Sequence, residues 1–207
     1  MSILPAEAFF SDGIFLVEGP SEMLFYHSLA NALNIDLDFE NLSILSVDGI
    51  SFKVFISILN ALQIPWIMRT DNDISKVPKK HEWNYAGMNR CLKIAELPEL
   101  TTKNAEFTAQ DTVDEGLWQR LSTDLNKKGI FLSKIDLETD LVNELSIEVI
   151  KKFGYESKND AIKYLQGKKA LRMSSLLKLI SKSLNTLAGA DLARPLYELQ
   201  KLNQGNN

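Results

Sequence analysis

The stretch Phe15-Leu16-Val17-Glu18-Gly19-Pro20-Ser21-Glu22 decides how the first half of this chain is read. Ile14-Phe15-Leu16-Val17 is a short, continuous apolar run, as in a strand buried on both faces. Gly19 and Pro20 then break the extended chain: the glycine permits a tight turn, and the proline suits the first turn of a helix, where its missing N–H costs nothing. From Ser21 to Leu33, the residues Met23, Leu24, Tyr26, Leu29, Ala30 and Leu33 recur at helical spacing and predict one broad apolar face. Two acids, Glu18 and Glu22, flank the junction, four residues apart, so a helix starting near residue 19 sets them on the same side.

Outward from this unit the pattern repeats. Leu42 to Val47 alternates and reads as a second strand; Phe52 to Leu62 is apolar at helical spacing; Pro65 to Thr70 reads as a third strand, with Pro65 tolerable at its start. Strand–helix–strand–helix–strand implies parallel crossovers, hence an α/β fold with a mostly parallel sheet flanked by helices. Residues 74–86 read as loop, Tyr85 to Leu97 as a helix stopped before Pro98, and 98–112 as irregular. Trp118 to Leu125 reads as a helix and Gly129 to Ser133 as a fourth strand. Helices are expected over Leu137–Lys152, Asn159–Leu165 and Ala170–Leu187. The expected organisation is an α/β core over 8–135 and a helical C-terminal extension over 136–207 that completes the site and packs on the core, ending in a frayed polar tail over 203–207. Trp66 and Trp118 are expected in the core. His27 is expected to be partly packed on the first helix, and His81 to lie in a solvated loop.

Composition bounds the partners. The chain has 207 residues, is 45% hydrophobic and carries a formal net charge of -4, so it can bury a real core and is not a basic nucleic-acid module. A lone cysteine, Cys91, forms no internal disulfide and no zinc-type spacing, which fits a reducing, cytoplasmic setting. The N-terminus has no basic n-region, so no signal peptide is expected, and no run approaches the roughly 18 apolar residues of a membrane span.

The acids follow the strands. Glu18 and Glu22 come after the first, Asp71-Asn72-Asp73 after the third, and Asp136-Leu137-Glu138-Thr139-Asp140 near the fourth. In open α/β sheets chemistry collects at the carboxyl ends of the strands, so acids from separate elements are expected to converge there. Like charges raise each other's pKa, and a divalent cation is the usual remedy; oxygen-only ligation favours Mg2+ or Mn2+. Each acid pair alone has a plainer reading, as a solvated helix start or a turn.

The run from Phe15 to Glu22 resembles the first motif of Toprim domains, in the Val-Glu-Gly-Pro-Ser-Glu form of the OLD (overcoming lysogenization defect) nucleases. Met68-Arg69-Thr70-Asp71-Asn72-Asp73 resembles their Asp-x-Asp motif, and Ser46-Val47-Asp48-Gly49-Ile50-Ser51-Phe52 their second strand and glycine turn. Asp136 to Leu141 resembles their later acid motif, and Lys168-Lys169-Ala170-Leu171-Arg172-Met173 their lysine-bearing helix start. The resemblance covers roughly residues 8–185. It implies a DNA-cutting endonuclease domain, a hydrolase that uses two Mg2+ or Mn2+ ions, with links to phage defence. Glu18, Glu22, Asp71, Asp73, Glu138 and Asp136 would be the metal ligands, with Asp140 a further candidate. Glu18 or a metal-bound hydroxide would act as base, and Lys169 (or its neighbour Lys168) would stabilise the charged transition state. Lys76, Lys79 and Lys80 would meet the substrate, joined by Lys127 and Lys128. A homo-oligomer is expected, and an ABC-type ATPase domain in the full-length protein, although no phosphate-binding Gly-x-x-x-x-Gly-Lys-Ser/Thr loop stands in this sequence. Three alternatives stay open: a non-catalytic regulatory or assembly module, a Toprim enzyme acting on RNA, and a topoisomerase, for which none of the five tyrosines stands out. A receiver-type domain fits poorly, because its acid pair and phosphoacceptor are arranged differently.

Overall fold

The computed structural model describes residues 6–49 and 51–204, with the side chains of 203 and 204 left aside. Of the sequence-based expectations, Ile50 in the glycine turn and the tail 205–207 lie outside the described residues. Four strands form one sheet in the order β2-β1-β3-β6. They are β1 (Gly13–Val17), β2 (Leu42–Ser46), β3 (Trp66–Thr70) and β6 (Ile130–Leu132). β1 pairs parallel with β2, Gly13 facing Leu42 and Val17 facing Ser46; β3 pairs parallel with β6, Met68 facing Ile130. The expected α/β architecture is present. By internal contacts the chain falls into two compact units, 1–67 with 138–207, and 68–137. Among the described residues no helix is long and apolar enough to cross a membrane.

In the first unit every residue of β1 is buried, which is why its sequence is a continuous apolar run rather than an alternation. α1 (Pro20–Ala32) follows directly, with Pro20 in its first turn. Its buried face is Ser21, Glu22, Phe25, Tyr26, Leu29 and Ala30, so the expected face is corrected: Phe25 joins it and Leu24 leaves it, 41% exposed. The shift follows from Tyr26, whose ring lies 4.6 Å from Phe15 and 4.9 Å from Phe25, edge to face. α2 (Phe52–Ala61) buries Phe52, Phe55, Ile56 and Leu59. Trp66 is only half-buried, contrary to expectation, because its indole N–H donates to Asn60 Oδ1 at 2.7 Å at the exposed end of that helix. His27 is exposed on α1.

The helical part departs from the expected lengths. The helix anticipated over Leu137–Lys152 is two, α6 (Leu137–Glu144) and α7 (Ile147–Lys152), because Ser146 takes an extended conformation (φ -70°, ψ 155°) as the N-cap of the second. α8 (Lys158–Gly167) is capped by Ser157, whose hydroxyl accepts from Asp160 N. α9 (Lys169–Ile180) does not run to Leu187: a 3-10 segment, Ser181–Gly189, takes over where hydroxyls bond back to nearby carbonyls, as Thr186 does to Ser183 at 2.7 Å. A last helix, α10 (Arg194–Gln204), not anticipated, packs on β1; a Cβ on Gly13 would lie 3.5 Å from Leu199 Cδ1.

In the second unit the expected loop over 74–86 holds a small antiparallel hairpin, β4 (Ser75–Lys76) with β5 (Trp83–Asn84). α3 (Ala86–Ile94) ends before Pro98, as expected. α4 (Ala109–Asp114) was not expected; it opens inside the stretch read as irregular, behind a reciprocal cap between Thr108 and Asp111. α5 (Leu117–Asn126) buries Trp118, whose indole N–H donates to the carbonyls of Leu132 (3.1 Å) and Ser133 (2.9 Å).

Candidate active site

At the end of β1 the backbone is pinned by its neighbour strand. The Glu18 carbonyl accepts from Gly49 N at 2.8 Å and from Ser46 Oγ at 3.3 Å. Gly49 takes φ 121°, which side chains rarely adopt, so the glycine turn after β2 is a requirement of this join. Gly19 is different. Its φ is -155° and a Cβ there would meet Glu22 Oε2 at 3.5 Å, an ordinary contact, so the expectation that its flexibility makes the turn is corrected. An open pocket of about 280 Å³ lies here, lined by Glu18, Gly19, Pro20, Ser21, Glu22, Gly49, Lys169 and Ala170.

Two buried carboxyls beside this pocket are poorly compensated. Glu138, at the start of α6, is fully buried. Its Oε1 accepts from Ser21 Oγ at 3.1 Å, its Oε2 accepts no hydrogen bond, and Lys169 Nζ stands 3.5 Å from that oxygen. The Lys169 side chain is 45% exposed, so one ammonium links a buried acid to solvent. Glu22 is buried beside them. Burial pushes its carboxyl from 4.5 to about 7; its backbone N–H opposes the rise, Glu138 adds to it, Lys169 opposes it and Glu18 adds to it. Three residues named from the sequence (Glu18 after β1, Glu138 of α6 and Lys169 of α9) thus all act on a fourth, Glu22 of α1. Lys168 is the exposed N-cap of α9.

Of the other acids, Asp71, Asp73 and Asp136 are in the second unit and Asp140 is in the first. Asp71 is buried and accepts from Ser133 Oγ at 3.3 Å. Asn72 Nδ2 donates to Thr112 Oγ1 (3.0 Å) and to the Lys134 carbonyl (2.9 Å). Asp73 is exposed and pairs with Arg90 at 2.7 Å; the same guanidinium bonds Thr70 Oγ1. Asp136 is half-buried and Asp140 buried, each with partners of its own. Of the substrate lysines, Lys76 lies over the Trp83 ring (5.3 Å), Lys80 pairs with Glu82 (3.8 Å) and Lys127 with Asp124 (2.9 Å), while Lys79 and Lys128 are exposed. Exposed His81 packs edge-on against Trp83.

Three residues of these sites escaped the sequence. Ser21 orients Glu138, and Arg90 holds Asp73. Gly87 permits the backbone of α3 to touch the Asp-Asn-Asp segment: a Cβ there would collide with the Asp71 carbonyl and stand 2.6 Å from Asp73 N. Ser21 stood inside a quoted motif, so its signal was present. Arg90 and Gly87 lie on a helix whose contact with that segment no local pattern announces.

Among the described residues, neither unit gathers three acidic, histidine or cysteine side chains tightly enough to hold an ion as they stand. The donors nevertheless suit a hard divalent cation. A buried carboxylate oxygen without a hydrogen bond, next to a second carboxyl with heightened proton affinity, is a pair that positive charge would relieve.

Residues 9–73 match the family described as "Overcoming lysogenization defect protein-like, TOPRIM domain". That segment is similar to an OLD-like Toprim domain, and the fold of the chain is that of the C-terminal region of OLD proteins. Superposition on the C-terminal region of the Burkholderia pseudomallei OLD protein gives a TM-score of 0.55 at 25% identity, covering 94% of this chain and 99% of that one. The C-terminal region of the Xanthomonas campestris pv. campestris OLD protein has the same fold (TM-score 0.53, 21% identity, 97% and 98% covered). In sequence, Endonuclease GajA of Bacillus cereus (strain VD045) is 30% identical over 190 residues, 85% of this chain and 32% of GajA. The chain thus spans about a third of the length of that curated relative.

Proposed function

We propose that this chain is a metal-dependent endonuclease domain that nicks or cleaves DNA by phosphodiester hydrolysis. The observation that carries the reading is Glu138: fully buried, its Oε2 without a hydrogen bond, 3.5 Å from the Lys169 ammonium, in electrostatic contact with Glu22. A carboxylate is not kept in that state for packing, since a buried acid of the same shape could be an amide at less cost. The endonuclease name of GajA supports the reaction class.

Glu18, Glu22 and Glu138 would be metal ligands, and the motif resemblance names Asp71, Asp73 and Asp136 as metal ligands too. A bound Mg2+ or Mn2+ supplies Lewis-acid polarisation of the phosphodiester. Glu18, half-buried at the pocket, accepts a proton from the attacking water. Lys169, with one side toward Glu138 and the other toward solvent, sets positive charge where the phosphorane-like transition state gathers negative charge. Ser21 keeps the Glu138 carboxyl from rotating. In this reading the helical part over 136–207 would complete the site through Glu138 and Lys169. DNA as substrate, a homo-oligomer, an ABC-type ATPase domain in the whole protein, a cytoplasmic setting and a role in phage defence belong to the same proposal. Incubation with supercoiled plasmid and Mg2+ or Mn2+ tests it. Nicked circles that vanish in Glu18→Ala are expected. Intact plasmid at every metal and salt concentration, or undiminished nicking by the variant, overturns it, and cleavage of RNA alone would move the substrate class.

A further inference from the structure

Three aromatic rings and an arginine cluster where α7, α8 and α9 meet, outside the carboxylate site. Gly154 (φ 97°) ends α7 in a left-handed turn, with Gly154 N bonded to the Lys151 carbonyl at 2.9 Å and Tyr155 N to the Ile150 carbonyl at 3.2 Å. The turn brings Phe153 and Tyr155 together, ring centroids 5.4 Å apart. Tyr164 of α8 lies 5.1 Å from Tyr155, its ring tilted by 37°, and 5.7 Å from Phe153. The Arg172 guanidinium of α9 lies over Tyr164 at 4.1 Å and also bonds the Tyr164 carbonyl. A Cβ on Gly167 would run into Arg172 Nη1, so the glycine leaves that guanidinium its place. Arg172, Tyr164 and Tyr155 thus form a ladder of flat groups.

This is not a closed core. Phe153, Tyr155, Tyr164 and Arg172 are all only half-buried, whereas α9 keeps Met173, Leu176, Leu177 and Ile180 fully inside. The charge around the ladder is also unlike that of the chain. Residues 147–172 carry seven Lys or Arg and three Asp or Glu, in a protein of formal net charge -4. Lys151 and Lys152, beside the Phe153–Tyr155 turn, are exposed. The same run ends one helical turn past Lys169, whose ammonium stands at Glu138.

We infer that the Phe153–Tyr155–Tyr164–Arg172 ladder with its flanking lysines is a stacking platform for unpaired nucleotides of a single-stranded nucleic acid. Flat half-exposed rings offer π-faces that every base can use, and the lysines track the phosphates; this combination favours single strands, whose bases are free to stack, over a closed duplex. Tyr155, half-buried in the turn beside the exposed Lys151 and Lys152, takes the first base. An unpaired strand held here would lead its backbone toward Lys169, so the inference rests on the nucleic-acid reading of the carboxylate site. Its test needs no catalysis.

The probe is a fluorescein-labelled oligothymidylate of about 12 nucleotides, titrated with the 207-residue chain in EDTA and followed by anisotropy. The wild type is expected to bind it more tightly than a blunt duplex of the same length, with affinity falling as salt rises. Tyr155→Leu keeps apolar bulk but loses the π-face and is expected to weaken binding roughly tenfold. Tyr155→Phe is expected to stay within about twofold. Lys151→Gln with Lys152→Gln should flatten the salt dependence. Should Tyr155→Leu fold poorly, Tyr155→Trp serves instead: its added indole emission should be quenched on binding oligothymidylate. Equal binding by Tyr155→Leu and wild type, an unquenched Tyr155→Trp, or preference for the duplex overturns the inference. A chain that nicks plasmid yet fails these tests loses the platform and keeps the active site; one that passes them without nicking keeps the platform and loses the enzyme.

Discussion

The acids after β1 and the acids after β3 look alike in sequence and differ in surroundings. Glu22 and Glu138 are buried with too little positive charge: one carboxyl is pushed up to about 7, and the other has an oxygen without a hydrogen bond. Asp71 and Asp73 each have a dedicated donor, Ser133 and Arg90, and Asn72 Nδ2 has two acceptors, while Asn72 Oδ1, a neutral amide oxygen, is buried without a hydrogen bond. The first set stores electrostatic strain that a cation or a charged transition state can release. The second is held in shape by its neighbours, and its contribution is a fixed geometry. Position after a strand shows where acids stand; their donors show what they are ready to do.

The largest effect should come from the strained set. Lys169→Met is expected to lower plasmid nicking by about a hundred- to a thousand-fold, the range for removing one charge-stabilising donor, while circular dichroism stays that of the wild type. Normal nicking by this variant would remove Lys169 from the chemistry.

On the rigid set the effect should be on stability. Gly87→Ala drives a Cβ into the backbone of Asp71, Asn72 and Asp73, at a cost of about 1–3 kcal/mol in urea denaturation. An unchanged midpoint would show that α3 can move away freely, and the contrast between the two sets would weaken.

The pH dependence separates them further. The folded-state pKa of Glu22 lies above its unfolded value, so between pH 4.5 and about 7 the folded chain keeps a proton the unfolded chain has lost. Stability from this group therefore falls as pH rises through that window and is level above it. Glu22→Gln should flatten that part of the stability–pH curve. An identical slope in the variant would place the strain elsewhere.

The smallest effect is expected at Gly19. With φ at -155° and 3.5 Å to its nearest neighbour, Gly19→Ala should change stability by less than about 0.5 kcal/mol. A large loss would mean that the turn does depend on glycine after all.

Much of the fold was legible because burial wrote it into composition. β1 is inside on both faces, so Ile14 to Val17 is uniformly apolar, and Pro20 marks where the helix begins. The parallel pairings of β1 with β2 and of β3 with β6 follow from helices lying between strands in sequence. The helical half was blurred for a local reason: the break at Ser146 and the 3-10 run from Ser181 depend on single hydroxyl-bearing residues that leave the apolar rhythm intact. At the site, Glu18, Glu22, Glu138 and Lys169 were nameable from motifs, and their mutual influence is geometric. Ser21, Arg90 and Gly87 were not singled out, because what matters about each is a partner 117, 17 or about 15 positions away.

The most direct test of the central idea is calorimetric titration of Mn2+ into the chain above pH 7, where Glu22 is ionised, beside the same titration of Glu138→Gln. The account predicts saturable binding to the wild type, weakened at least tenfold by the single oxygen-to-amide change. No binding to the wild type, or equal binding to both, would contradict it.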